Sequence, residues 1–478
     1  MKTKLKSTNR KMSSAARTSV WFTICNFLQR GTAFLTVPIF TRLLTSEEYG
    51  VCNVYFAWFE IFLLFTSLKI PYEGFNNGLI RNEEDKDGYT SSMLGLIMIL
   101  TCISAALYVL FHRPINRLTG LSSLLMALMF VQLFFHSPLM LWTNRERFDF
   151  RYRYPVIVTM ISTILNPLIA VIAVLNTAYR AEARIIASVL VQAFFGLIFM
   201  VVLFRRGKTF YKKDYWKFAL EFNLPLFFYY VSQSVLNQSD RIMINYYEGS
   251  GKAAIYSVAY SAATIMQLLV SAINGSFHPW LYKKLKAEQY GEIRNTMGVL
   301  CLLIGAATLS MSAFAPDLVK IMATREYYEA IWIIPPVASS VFFVFLYMLF
   351  ASVEMYFNEN RGIMAISILC SAANVILNAV YIPRYGYLAA GWTTLVCYLL
   401  LSWLHFLLMK RACRKNQVRE AVFPVKLLLL SAVVVILLTF VSLAMYRMNS
   451  LRYVILALEA VLLFAFRRQL LGVIKKIK

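Results

Sequence analysis

Apolar runs of membrane-spanning length follow one another along this chain, joined by short polar links, and no long hydrophilic block interrupts them. A spanning helix needs about 20 predominantly apolar residues, because the hydrocarbon of a bilayer is ~30 Å thick. Fourteen such runs can be placed, at 18–42, 49–70, 89–111, 119–143, 154–176, 181–204, 218–246, 252–277, 296–315, 330–357, 362–382, 387–409, 424–446 and 451–467. The hydrophobic share of 59% exceeds the ~45–50% of a soluble domain, and the mean hydropathy is +0.61. The chain therefore reads as an all-α integral membrane protein of about fourteen transmembrane helices, with no separate soluble catalytic domain.

Its charge follows from topology. In a soluble chain, 48 Lys and Arg against 24 Asp and Glu would suggest nucleic acid. Here 35 of the 48 lie in or beside segments on one side of the membrane and 11 on the other, leaving Arg30 and Arg241 within spans. That bias places both termini in the cytoplasm and removes nucleic acid as a partner. The first apolar run has no small-residue cleavage site, so it reads as an uncleaved span. Seven cysteines without CxxC or paired spacing indicate neither disulfides nor zinc, and nothing calls for a metal or another cofactor. The mixed-sign stretch Leu79–Gly88 reads as a solvated cytoplasmic link.

The first and seventh spans carry arginine into hydrocarbon, where an ionisable side chain costs roughly 2.5–3.5 kcal/mol and usually faces a partner or a wet cavity. The seventh span holds Asp240 and Arg241 side by side, and helical spacing gathers Asn223, Tyr230, Ser234, Asn237, Arg241 and Asn245 near one face. The first holds a similar stripe of Ser19, Thr23, Asn26, Arg30 and Thr41. Arginine suits phosphate, since its planar fork donates parallel hydrogen bonds and stays protonated when partly dehydrated. Asn26, Arg30, Tyr230, Ser234, Asn237 and Arg241 are thus the candidates for holding an anionic substrate. The bland alternatives are an Asp240–Arg241 structural pair and an Arg30 ion pair with Glu60 of the second span. Glu60 and Asp240 are the ion-coupling candidates.

Weak self-similarity at offsets of 204 and 208 divides the chain into 1–204 (six spans), 205–410 (six spans) and a C-terminal pair in 411–478. Prolines 38, 138, 155, 167, 225, 335 and 336 are expected to kink or loosen helices.

The runs FLTVPIFTRLLTSEEYGVCNVY (Phe34–Tyr55), NQSDRIMINYY (Asn237–Tyr247), AAIYSVAY (Ala253–Tyr260), FHPWLYKKL (Phe277–Leu285) and NVILNAVYIPRYGYLAAGWTTLVCY (Asn374–Tyr398) resemble polysaccharide transporters of the multidrug/oligosaccharidyl-lipid/polysaccharide exporter superfamily. The resemblance implies an inverted-V, two-lobed exporter in the bacterial cytoplasmic membrane, resembling the multidrug exporters in fold. By alternating access it would flip an undecaprenyl-pyrophosphate-linked oligosaccharide repeat unit for polysaccharide biosynthesis. Membrane lipids and other polysaccharide-assembly proteins are the implied partners, and Arg30 and Arg241 match the family's cationic cavity positions. Gly50 stands where some relatives keep another cation. Tyr229, Tyr230, Tyr256 and Tyr260 are placed to stack on sugars or simply to pack.

Two other classes compete. A cation-coupled exporter of small organic cations would share the fold but should have an acidic cavity. A polysaccharide-pathway enzyme would need clustered external acids, whereas Glu47, Glu48, Glu182, Glu248, Asp317, Glu326 and Glu329 are scattered in sequence.

Overall fold

The computed structural model describes residues 14–418, 420–446, 448–469 and 472. In hydrocarbon every backbone N–H and C=O needs a partner within the chain. The described residues accordingly form helices: α1 (Ser14–Leu43), α2 (Ser46–Ser67), α3 (Glu73–Arg81), α4 (Lys86–Leu110), α5 (His112–Thr119), α6 (Ser123–Phe148), α7 (Arg153–Leu175), α8 (Arg180–Gly207), α9 (Lys213–Glu248), α10 (Ser250–Lys286), α11 (Tyr290–Met322), α12 (Ile334–Tyr356), α13 (Asn360–Tyr385), α14 (Leu388–Lys415), α15 (Val425–Met445) and α16 (Asn449–Ala465), with 3₁₀ turns at Glu83–Asp85 and Arg325–Trp332. All but the short α3 and α5 fall on the apolar runs read from the sequence. Eleven are long and apolar enough to cross a membrane. Of the other three, α16 has only 17 residues, and α9 is diluted by its polar stripe.

Not every proline breaks a helix. Pro335 and Pro336 open α12, where the missing N–H has no intrahelical partner to lose and the fixed φ favours the first turn. Pro155 likewise lies in the first turn of α7. Pro38, Pro138, Pro167 and Pro225 do sit inside helices.

The chain forms two compact units that interleave along the sequence. Unit one takes the chain up to Thr36, Phe65–Phe111 and Leu124–Pro225; unit two takes Val37–Leu64, His112–Ser123 and everything from Leu226. The division within α9 falls at Pro225, whose ring leaves the Glu221 carbonyl without its helical donor.

Unit one packs α4, α6, α7 and α8 around rings such as Trp142 and Phe199, stacked 4.0 Å apart. One end of it is closed by ion pairs. Arg145 bonds Asp149 at 2.6 Å and Asp87 at 3.1 Å, Arg206 bonds Glu146 at 2.7 Å, and Tyr215 donates to Asp85 at 2.8 Å. Leu79–Gly88 is therefore not merely a solvated link, because its acids tie the start of α4 to α6 and α9. Inside the same unit Gln192 bridges Gln132 and His136.

Unit two packs α10 to α16 with the rest of α9, α5, the end of α1 from Val37 and α2 as far as Leu64. Thr41 donates to the Met322 carbonyl at 2.7 Å, Arg42 reaches the Ile321 carbonyl at 3.1 Å, and the Tyr49 and Tyr327 rings meet edge to face. Gly50 lies so close to α10 that an added Cβ would fall 1.9 Å from the Ser250 carbonyl oxygen. A side chain at this position would require α2 and α10 to part. One residue, Gly249 at φ +89°, links α9 to α10 in a conformation that suits glycine. Glu248 and Glu329, distant in sequence, converge on Tyr387: its backbone N–H serves Glu248, and its hydroxyl joins Lys252 on Glu329. At the C-terminus, Arg452 bonds Asp317 at 3.2 Å and Glu459 accepts from Ser310 at 2.7 Å, fastening α16 to α11.

Candidate functional site

Within unit two, α9 presents two different faces. Asp240 is 2% exposed and turns inward. Its carboxylate accepts from Tyr256 of α10 at 2.5 Å, from Asn378 of α13 at 2.7 Å and from Thr394 of α14 at 2.7 Å. Around it Ser239 donates to Asn374 at 2.7 Å, Asn378 reaches Asn374 at 3.4 Å, and Thr393 donates to Asn378. A carboxylate in a dry interior is tolerated only when such donors replace its water; here hydroxyls and an amide supply them.

Arg241 faces elsewhere. It is half-buried, its guanidinium sits 4.5 Å from the centre of the Tyr260 ring, and Nη1 donates to Gln238 at 2.7 Å. Asp240 and Arg241 thus do not form the structural pair that their adjacency suggests. Neighbouring positions on a helix point about 100° apart, which sends the acid into the lobe and the base along its surface.

The rest of the predicted α9 face is only partly assembled. Asn237 lies one turn before Arg241; its Oδ1 accepts from the hydroxyls of Tyr260 and Tyr398, both at 3.4 Å, and its amide donates to the Gln233 carbonyl. Ser234 and Tyr230 are half-buried on the same unit, and the Tyr230 ring is tilted against Tyr229. Asn223 does not join them, being buried in unit one and bonded to the Ala219 carbonyl. Tyr256 is 1% exposed and bonded to Asp240, so it cannot stack on a sugar. Glu60 is half-buried on α2 in unit two. The side chains of Asn26 and Arg30 lie outside the described residues.

Sequence reasoning missed several residues. Asn374, Asn378, Thr393 and Thr394 stood within a quoted run but were not recognised as the surroundings of Asp240. The missed signal was Asn374 and Asn378 at helical spacing inside an apolar run. Glu354 and His405, both buried, were missed altogether; His405 Nδ1 lies 2.8 Å from Glu354 Oε2.

The described residues contain no group of three or more His, Cys, Asp or Glu able to hold a metal. The α9 face thus places a half-buried arginine beside tyrosines and asparagines, with a fully satisfied acid behind it.

Comparison with solved structures gives the class. The lipid II flippase MurJ, in an inward closed conformation, superimposes with a TM-score of 0.68 at 13% identity, covering 94% of this chain and 99% of that one. An inward-facing multidrug resistance transporter of the MATE family of the MOP superfamily gives 0.59 at 13% identity, covering 86% and 100%. The chain shares the multi-pass helical fold of these two proteins. Residues 15–284 match the family described as Polysaccharide biosynthesis protein, and the chain belongs to that family. A protein of the Lsg locus of Haemophilus influenzae Rd is similar, 25% identical over 357 residues that cover 70% of this chain and 83% of the relative.

Proposed function

We propose that the protein flips an undecaprenyl-pyrophosphate-linked oligosaccharide repeat unit across the bacterial cytoplasmic membrane, by alternating access between lobes formed by residues 1–204 and 205–410, with 411–478 as an added pair of helices. All fourteen long helices span the bilayer and both termini are cytoplasmic. One observation carries the reading: the charge on the half-buried face of α9 is the guanidinium of Arg241, resting on neutral groups, Gln238 and the Tyr260 ring. A charge so placed keeps its fork available for a diphosphate, and Arg30 supplies the second. Asn237, Ser234, Tyr230 and Asn26 line the path of the glycan.

An exporter of organic cations would need an acid on that face, whereas the Asp240 carboxylate is turned inward and occupied by three donors. Asp240 and Glu60 are the positions through which an ion gradient acts. The test is to delete the gene and identify by mass spectrometry the lipid-linked oligosaccharide that accumulates at the inner leaflet. Absence of any such accumulation, with surface polysaccharide intact, overturns the proposal.

A further inference from the structure

The Asp240 cluster is not the only buried ionisable group in unit two. Glu354, in the last turn of α12, is 0% exposed, and His405 of α14 is 1% exposed. Nδ1 of the imidazole lies 2.8 Å from Glu354 Oε2, while Glu354 Oε1 has no hydrogen-bond partner among the described residues. The Tyr347 ring stacks on the imidazole, centroids 5.6 Å apart, and also on the Tyr398 ring at 6.5 Å. The Tyr398 hydroxyl donates to Asn237, one turn from Arg241. Two stacked rings therefore join this pair to the face assigned to the substrate.

We propose that Glu354 and His405 form a one-proton binding site, separate from Asp240, whose loading and unloading accompanies transport.

The argument rests on what the pair holds when buried. Imidazolium with carboxylate, and imidazole with carboxylic acid, contain the same single proton, and either is tolerable without water. Removing that proton leaves a buried carboxylate helped by the Met409 backbone N–H but with no donor at Oε1, a state that a dry interior disfavours. The proton can leave only when water or another donor reaches Oε1, that is, when the seam between α12 and α14 opens. A group that exchanges its proton only in one arrangement of two helices couples that arrangement to the proton.

The other titratable groups around the pair are few. Tyr347 comes from α12 itself, Tyr398 from α14, and His278 of α10 meets α12 one turn away through Ser352, at 2.6 Å. Glu359, in the turn after α12, is the other acid that acts on Glu354, and it is bonded at 2.8 Å to Lys415 at the end of α14. That exposed ion pair closes the same seam at the end that the charge bias assigns to the cytoplasm. Protons would enter and leave there.

The use of this site in transport rests on the flippase reading; the binding of the proton does not. The chain has four histidines, so the full protein labelled with ¹⁵N-histidine in detergent gives four imidazoles, and His405→Gln identifies the one of interest. In the wild type the His405 resonances should change reversibly with pH, and in Glu354→Gln, which has lost the carboxylate partner, that change should be lost or displaced. His405 resonances that respond to pH identically in wild type and Glu354→Gln, or in neither, overturn the proton site. Should Glu354→Gln fail to accumulate, Glu354→Asp takes its place, with the same criterion.

A second measurement tests coupling. Vesicles containing the protein and an internal pH dye are given the lipid-linked oligosaccharide that accumulates in the deletion strain. Wild-type vesicles should show a pH change that Glu354→Gln loses while still binding the lipid. A pH change equal in both overturns the coupling. A titrating His405 in a protein that neither binds nor moves the lipid overturns the flippase reading and leaves the proton site standing.

Discussion

The carboxylate of Asp240 and the guanidinium of Arg241, adjacent in sequence, serve separate environments: the first is closed in by Tyr256, Asn378 and Thr394, the second rests on the ring of Tyr260. Their adjacency matters because one helix, α9, thereby carries both the buried acid of the lobe and its half-buried cation. A shift of α9 moves both groups together.

Asp240 should be intolerant of truncation. Asp240→Ala leaves three buried donors without an acceptor. Since a hydrogen bond to a charged group contributes about 1.5–3 kcal/mol, unfolding in detergent should occur at a clearly lower temperature and membrane abundance should fall. Asp240→Asn keeps the volume and one carbonyl acceptor, so it should be milder. Equal abundance and melting temperature for Ala and wild type would show that the network does not stabilise the lobe.

Gly50 should admit no side chain in this arrangement. A Cβ 1.9 Å from the Ser250 carbonyl oxygen requires α2 and α10 to part, at a cost of about 1–3 kcal/mol for an overpacked contact. Gly50→Ala should therefore favour separation of these two helices at this contact. Glu47→Cys paired with Gly251→Cys reports the contact, because the Glu47 side chain lies 3.7 Å from the Cβ position of Gly251. Adding Gly50→Ala should lower the yield of that disulfide severalfold, and an unchanged yield would refute the steric argument.

Within unit one, Asp149 gives a pH prediction. Burial works to raise its pKa, but the hydrogen bond from Arg145 and the charges of Arg145, Lys86 and Arg151 outweigh burial and hold the carboxyl below its usual range. A group with a depressed folded-state pKa stabilises the fold above its unfolded value and loses that contribution as pH falls through the folded value. Wild type and Asp149→Asn should hence differ by about 1 kcal/mol at neutral pH, and their melting temperatures should converge only below about pH 4. A difference that persists in stronger acid would assign the effect to packing.

How much of this was legible follows from the solvent. Hydrocarbon forces long apolar helices, and the runs that became the long helices could be placed by length alone, while α3 and α5 are too short to leave such a signal. Arg241 stood out because charge is rare in a span. Its surroundings did not, because Tyr260 and Tyr398 reach Asn237 from other helices, and single-sequence periodicity reports faces rather than neighbours. The pair of Glu354 and His405 was invisible for the same reason: 51 residues separate them, and each alone looks like a polar residue near a helix end.

The strongest test falls on Arg241 and Arg30. If the two guanidiniums hold the diphosphate of the lipid carrier, losing one charge-assisted contact should weaken binding by ~1.5–3 kcal/mol, or about ten- to a hundredfold. Arg241→Ala should then cripple export of the lipid-linked oligosaccharide while leaving insertion intact, since Arg241 rests on Gln238 and the Tyr260 ring and the Asp240 carboxylate keeps its three donors without it. Arg241→Lys should recover part of the activity, because lysine keeps the charge but lacks the planar fork. Raising the salt concentration should not mimic the loss, since a partly buried pair is screened far less than a surface one. The measurement is transport by variants present at wild-type membrane levels. Full export by the Arg30→Ala, Arg241→Ala double variant would show that these arginines do not hold the substrate and would return the anion to some other part of the chain.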